Sequence, residues 1–319
     1  MTDLVTEHFR PDDAGTQRAA AILRSGGLVA FPTETVYGLG ADACNDLAVA
    51  RIFEAKGRPR FNPLIVHVPD FDAARSYGSF GPAAERLAQA FWPGPLTLVV
   101  PTVRGAPLSE LVTAGLASVA VRVPEHPLAR DLLTAAARPV AAPSANPSGR
   151  VSPTTAKHVA DGLNGRIDAI LDGGACPVGL ESTIVGFEGG VARLLRPGGL
   201  PIEAIEACIG SLLPPAVNNE GAITAPGQLS SHYAPDAPLR LGATEMRDGE
   251  VFLGFGPVAG TLSLSPAGDL LEAAANLYAH LRTLDDMGSA AGIAVAPIPE
   301  IGLGRAINDR LRRAAAPRT

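Results

Sequence analysis

Apolar and polar positions alternate along this chain with two periods, one helical and one extended. Residues 14–25 carry apolar positions at helical spacing and predict a helix, with Asp13 placed to cap it and Gly26 to end it. The unbroken apolar run Leu28–Phe31 predicts a short buried strand, and a loop is expected over Pro32–Gly40. Asn45 can cap a helix over 46–56, with Leu47, Ala50, Ile52 and Phe53 as apolar positions and Lys56 at its end. Runs at 64–68, 96–100, 119–123, 140–142, 169–172, 182–187 and 191–195 predict strands. Helices are expected over 82–91, 128–137 and 202–209. Ser152 and Pro153 read as the cap and first residue of a further helix ending near 162.

Residues 211–238 break this rhythm. Pro214, Pro215, Asn218, Asn219, Gly221, Pro226, Gly227, Pro235 and Pro238 give them the composition of an interdomain linker. Beyond it strands are expected at 239–241, 251–255 and 293–296, and helices at 268–287 and 302–315. The pattern divides the chain into a catalytic-sized α/β domain over 1–210 with a mixed sheet, a linker over 211–237 and a small parallel-sheet domain over 238–319. No internal repeat is visible.

Composition narrows the classes. Of 319 residues 46% are apolar and 18% charged, which excludes a disordered chain. The net charge of −6 argues against a general nucleic-acid binder, though not against a local basic cleft. No apolar run approaches the ~18–20 residues of a membrane helix, and the first residues lack the basic flank and apolar stretch of a secretory signal. Cys44, Cys176 and Cys208 form neither a disulfide framework nor a zinc spacing. A reducing, cytoplasmic setting with no membrane is the expectation. All but two of the 26 basic residues are arginine, so Lys56 and Lys157 stand out as positions where a compact ammonium can matter.

The familiar phosphate-binding loops are absent: there is no Gly-x-x-x-x-Gly-Lys-Ser/Thr and no Gly-x-Gly-x-x-Gly, since Gly38-Leu39-Gly40 lacks the third glycine. There is no Gly-x-Ser-x-Gly or His-Glu-x-x-His either. Any phosphate chemistry must use cations, hydroxyls and helix N-termini. The densest basic stretch is Lys56-Gly57-Arg58-Pro59-Arg60-Phe61-Asn62-Pro63. It reads either as charge favouring a helix C-terminus or as a stiffened phosphate clamp. The polar run 144–153, after a strand and before a helix, reads either as turn chemistry or as an anion site. Thr33, Thr35 and Tyr37 can orient a small polar substrate or satisfy a turn. His67 in an apolar strand reads first as a core histidine. Arg122, inside the apolar strand 119–123, needs a carboxylate partner from the protein or from a substrate.

Taken in order, several segments resemble the YrdC/TsaC-type threonylcarbamoyl-AMP synthases in their longer, two-domain form. They are Pro-Thr-Glu-Thr-Val-Tyr-Gly-Leu-Gly at 32–40, Lys-Gly-Arg-Pro at 56–59, Asn-Pro-Leu at 62–64 and Trp-Pro-Gly-Pro-Leu-Thr at 92–97. Val-Ala-Val-Arg-Val-Pro at 119–124, Ser-Ala-Asn-Pro-Ser-Gly at 144–149, Glu-Ser-Thr-Ile-Val at 181–185 and Leu-Arg-Pro-Gly at 195–198 follow. His-Tyr-Ala-Pro at 232–235 resembles the linker motif of the longer form, although Gln228-Leu229-Ser230-Ser231 replaces the Met-Lys-Tyr-like stretch that often precedes it.

The resemblance implies a twisted open mixed sheet with a central cleft, then a small Rossmann-like α/β domain. It implies a nucleotidyltransferase, an L-threonylcarbamoyladenylate synthase, that turns L-threonine, bicarbonate or CO2, and ATP into threonylcarbamoyl-AMP and pyrophosphate, the first step of a tRNA modification. Transfer to tRNA would fall to downstream proteins. By resemblance Thr35, His67, Arg122, Ala142 and Ser182 would hold threonine. Arg58, Asn62, Ser118, Ser144, Ser152 and Arg196 would hold ATP. Lys56 and Arg58 would act in catalysis beside a Mg2+ brought with the nucleotide, and His232 and Tyr233 would gate the site. A non-catalytic RNA-binding module using Lys56, Arg58 and Arg60 is the alternative; the acidic balance and an aromatic content of 5% weigh against it. A carbamoyl-phosphate-linked transferase of the hydrogenase-maturation kind would need zinc-binding cysteine pairs, and three cysteines do not supply them.

Overall fold

The computed structural model describes residues 4–59, 61–214, 232–288 and 291–317. Arg60 and most of the expected linker therefore lie outside the described residues, as does the departure at 228–231. Ten strands form the first sheet: β1 (Glu7–Phe9), β2 (Val29–Phe31), β3 (Gly38–Asp42), β4 (Ile65–His67), β5 (Leu96–Pro101), β6 (Ser118–Arg122), β7 (Val140–Ala141), β8 (Ala169–Leu171), β9 (Thr183–Glu188) and β10 (Val191–Arg196). Their order is β1-β8-β2-β3-β7-β4-β6-β5-β9-β10. The sheet is mixed: β4 runs parallel to β6 but antiparallel to β7, and β5 runs parallel to β9 but antiparallel to β6. β2, β4 and β8 are buried at every position, which is why they read as apolar runs, broken only by His67 in β4.

Helices cover both faces. Asp13–Arg24 and Pro127–Ala136 enclose one apolar cluster with Phe9, Phe31 and Leu171. Asp46–Lys56 and Pro82–Phe91 bury Ile52, Phe53 and Leu87 in a larger one. Asn45 caps Asp46–Lys56 as expected, its side chain accepting from the Leu47 and Ala48 amides at 3.1 Å. The second sheet holds β11 (Leu239–Leu241), β12 (Val251–Gly254), β13 (Leu262–Ser263) and β14 (Ile293–Val295), all parallel, in the order β11-β14-β12-β13. Helices Leu270–Asp286 and Gly304–Ala315 pack on it. Their core cluster also takes in Val36, Val151, Leu180 and Tyr233, so the two sheets share one apolar seam.

Three expectations need correction. Gly38-Leu39-Gly40 lies in strand β3 and not in a loop. A Cβ on Gly40 would sit 2.8 Å from Val140 Cγ1 and 2.9 Å from Phe31 Cε1, so glycine serves close packing there and not a turn. The cap of the first helix is Asp12, whose Oδ1 accepts from the Gly15 amide at 2.7 Å; Asp13 is already helical. The helix expected from Ser152 begins at Ala156, capped by Thr155. Ser152 instead donates its hydroxyl to Glu181 Oε1 at 2.6 Å, a buried carboxylate that outcompetes a helix N-terminus.

One close crossing supports the cleft. Beyond β10, a Cβ on Gly198 would fall 2.3 Å from the Glu181 carbonyl oxygen and 2.4 Å from the Ser182 carbonyl carbon, both backbone atoms. Gly198→Ala is expected to destabilise the fold by about 2 kcal/mol or more, read as a lower midpoint in urea unfolding.

Candidate functional site

The polar side chains singled out in the sequence converge on the cleft above the middle of the first sheet. Thr35, Arg58, His67, Arg122, Ala142, Ser144, Ser182, Arg196, His232 and Tyr233 all line one cavity of about 50 Å³, room for a few waters. The strands place them. Residues alternate across a sheet, so the in-register pair His67 and Arg122 on β4 and β6 presents two polar groups to the same face. Arg196 ends β10, and Ser182 stands just before β9, its hydroxyl 2.7 Å from that of Thr97. Arg196 Nη2 donates to the Ser182 carbonyl at 2.8 Å.

Arg122 finds a protein carboxylate, Glu34, at 2.6 Å, and both are buried. The other Glu34 oxygen accepts from the Glu125 amide at 3.0 Å, which fixes the carboxylate and through it the guanidinium. Neighbouring Thr33 ties the loop together: its hydroxyl donates to the Val36 carbonyl at 2.6 Å and lies 2.7 Å from the Thr35 hydroxyl. Burial, and then the charge of Arg122, pulls the His67 imidazole down to about 3, so it is neutral. Its Nδ1 lies 3.2 Å from the Ile65 carbonyl and must donate to it, which leaves Nε2 as an acceptor.

Of the two readings of the cation loop, charge at a helix C-terminus or a converging clamp, Lys56 and Arg58 follow different courses. Arg58 does line the cavity, braced by the Asn62 and Pro63 carbonyls at 3.4 and 3.0 Å. Burial lowers its guanidinium to about 10, still cationic at neutral pH. Lys56 does not line the cavity. Its ammonium donates to the Ser144 carbonyl at 2.6 Å and to the Asn146 carbonyl, and so holds the 144–147 loop in place. Burial, reinforced by Arg58, drives the Lys56 amine well below its usual range. Asn62 does not line the cavity; it is buried with neither side-chain atom hydrogen-bonded.

Ser152 lies behind the cavity on Glu181, and Ser118 stands apart from it. Ser118 lines a second, open hollow of about 490 Å³ with Val99, Leu116, Phe187 and Leu195. Both Ser118 and Arg122 lie on β6, four residues apart and therefore on one face, so the hollow lies on the sheet face that carries Arg122.

Sequence reasoning missed Glu181, which lines the cavity, and its partners Tyr278 and Arg310 from the second domain. Burial alone would raise the Glu181 carboxyl, but Arg310, Arg196 and the Ser152 hydroxyl together hold it at about 2. A signal was present. In the last helix Ala306, Ile307, Leu311 and Ala314 form the buried stripe, and Arg310 sits within it. His232 is buried under the same roof; burial lowers it to about 3. Its ring centroid lies 4.1 Å from that of Tyr233, which stacks on Tyr278 at 6.0 Å.

The donor set does not fit a protein-held metal ion. Among the described residues no cluster of three His, Cys, Asp or Glu side chains can hold one. The carboxylates at the cleft are committed, Glu34 to Arg122 and Glu181 to Arg310. No helix of the described residues is long and apolar enough to cross a membrane.

His67 and His232 gain protons when the chain unfolds below about pH 6.5 but stay neutral in the fold down to about 3. Each thus contributes stability that is present above about pH 6.5 and lost as the pH falls through that window. Denaturant unfolding should show a loss of about 1–2 kcal/mol per histidine between pH 7 and pH 5, and the double variant His67→Gln, His232→Gln should show a shallower slope.

Known proteins match the chain along almost its whole length. The family described as "Telomere recombination" (Sua5, YciO, YrdC) matches residues 21–198, and "Threonylcarbamoyl-AMP synthase, C-terminal domain" matches residues 200–316. A threonylcarbamoyl-AMP synthase of Pyrococcus abyssi is 42% identical over 99% of this chain and 98% of its own length. Its counterpart in Bacillus subtilis is 43% identical over 98% and 96%. The crystal structure of P. abyssi Sua5 complexed with L-threonine superposes with a TM-score of 0.88 at 41% identity, covering 98% of this chain and 97% of that one. Escherichia coli YciO, at 22% identity and a TM-score of 0.55, shares the fold over 61% of this chain.

Proposed function

The chain belongs to the threonylcarbamoyl-AMP synthases in their two-domain form, and on that premise we propose how this cleft carries out the reaction, as a nucleotidyltransferase acting on L-threonine, bicarbonate or CO2, and ATP. The observation that carries the reading is one cavity lined by a neutral imidazole, a carboxylate-braced arginine and two further buried arginines, Arg58 and Arg196.

Threonine fits the His67–Arg122 end. Arg122, held in place by Glu34, takes the amino-acid carboxylate. The Nε2 lone pair of neutral His67 and the hydroxyls of Thr35 and Ser182 suit the side-chain hydroxyl, with the Ala142 backbone alongside. ATP lies along the sheet toward Ser118. The hollow of about 490 Å³, walled by Val99, Leu116, Phe187 and Leu195, accepts an apolar base. Arg58, Arg196, Asn62 and Ser144 meet the phosphates. Ser152 acts through Glu181 at the cavity wall, and Lys56 acts through the 144–147 loop that it pins.

The threonine amine attacks the one-carbon unit to give a carbamate, releasing a proton if the unit is CO2 or a water molecule if it is bicarbonate. A carbamate oxygen then attacks the α-phosphorus, and pyrophosphate leaves. No side chain becomes covalently attached; the protein positions two anionic reactants and offsets the charge that develops on pyrophosphate. Mg2+ enters with ATP as part of the substrate, since among the described residues no set of carboxylates, histidines or cysteines is grouped to hold it. His232 and Tyr233 roof the cavity and act as a gate: they withdraw to admit the nucleotide and return to keep water from the adenylate. The threonylcarbamoyl group is then passed to tRNA by other proteins, and the chain works in the cytoplasm.

Pyrophosphate release by the purified protein, with threonine and bicarbonate omitted in turn and serine as comparison, tests the reading. Release that needs both, with a labile threonine-containing adenylate in the mass spectrum, is expected. No release from a folded protein that still binds tRNA in a steeply salt-dependent way would replace it with the RNA-binding alternative. In the same assay Arg122→Ala is expected to raise the KM for threonine, and Arg58→Ala to weaken ATP use, each by a factor on the order of 10²–10³ in kcat/KM. If both variants affect ATP alone, the placement of threonine on Arg122 is wrong.

A further inference from the structure

Glu181 lines the cleft, yet apart from the Ser152 hydroxyl its side-chain partners come from the other domain. Its Oε2 accepts from Arg310 Nε at 2.7 Å, and the Tyr278 hydroxyl lies 3.0 and 2.9 Å from the two carboxylate oxygens. Arg310 is 1% exposed. The same guanidinium donates through Nη2 to the Pro197 carbonyl at 2.9 Å, one residue past Arg196. Its Cζ lies 4.9 Å from the Tyr233 ring centroid. One side chain of the last helix therefore touches three parts of the cleft wall: the residue before Ser182, the residue after Arg196, and the linker tyrosine.

The charges explain why that matters. Glu181 is a buried carboxylate that lines the same cavity as Arg196, whose Nη2 donates to the carbonyl of the adjoining Ser182 at 2.8 Å. An anion there competes with a nucleotide phosphate for Arg196, because a buried carboxylate seeks whichever cation is nearest. Among the described residues its ion pair is with Arg310 and not with Arg196. On the reading of the cleft given above, we propose that Arg310 is a positioning residue: it holds Glu181 from the second domain so that Arg196 keeps its charge for the phosphates of ATP. The second domain is then part of the nucleotide site without touching the nucleotide.

Wild type, Arg310→Met, Glu181→Gln and the double variant are compared by calorimetric titration with MgATP, and by KM and kcat for ATP and threonine. Arg310→Met is expected to weaken ATP binding roughly ten- to hundredfold while the threonine KM stays within about threefold. Glu181→Gln added to Arg310→Met is expected to restore most of the ATP affinity, because no carboxylate remains to occupy Arg196. A merely structural Arg310 predicts the opposite, since the second substitution removes further hydrogen bonds and lowers the melting temperature without restoring binding. A double variant no better than Arg310→Met, or an Arg310→Met that binds ATP as wild type does, overturns the proposal. Should Arg310→Met fail to fold, Glu181→Gln alone decides. ATP binding unchanged or tighter supports the proposal, and a loss of about tenfold or more overturns it. A wild type that binds MgATP but releases no pyrophosphate with threonine and bicarbonate would sink the proposed reaction instead, and the titrations would still stand.

Discussion

The fold is organised around an excess of buried positive charge. Lys56, Arg58, Arg122, Arg196 and Arg310 are all buried, against two buried carboxylates close by, Glu34 and Glu181. A cation taken out of water is costly unless something answers it. The chain answers with backbone carbonyls for Lys56 and Arg58 and with carboxylates for Arg122 and Arg310. The remaining excess suits a polyanion. Many local features serve this arrangement: the αL glycine that turns the chain after Lys56, the 144–147 loop that its ammonium pins, and the apolar seam that joins the second domain to Val36, Val151 and Leu180.

Much of the architecture was legible because burial on both faces writes a simple pattern. The runs 64–68 and 169–172 are apolar but for His67 and Asp172, and they form interior strands of the sheet. Asn45 announced its helix through cap chemistry alone. What stayed hidden was short or contextual. Glu7–Phe9, Leu262–Ser263 and the helices Phe71–Arg75 and Glu110–Thr113 are too brief to show a period. Gly38–Asp42 looked like a loop because glycine is read as a turn former, whereas Phe31 and Val140 occupy the space a side chain would need. Ser152 looked like a cap because nothing local reveals a carboxylate 29 positions away.

The same division runs through the cleft. Arg122 was recognisable from one strand, since a charged residue inside an apolar run must meet a partner, and Glu34 is that partner. The members of the cavity came from ordered motifs spread over the first domain. Glu181 and Arg310 are 129 residues apart, and no local pattern links them. Arg310 announces only that a helix has placed a cation on its buried stripe. Lys56 shows the limit of reading by residue type, for its ammonium is committed to backbone carbonyls inside the protein.

Tyr233 carries a mechanical consequence. Its backbone sits at φ +62°, a left-handed conformation that is unfavourable for a side chain of this kind by about 1–2 kcal/mol. Beside it, His232 Nδ1 is buried with no hydrogen-bond partner. The roof therefore holds two local tensions, offset by ring stacking on Tyr278 and by the Arg310 guanidinium. The second domain thus supplies the contacts that hold a backbone-strained residue over the cleft, so the roof depends on the last two helices as much as on its own chain segment.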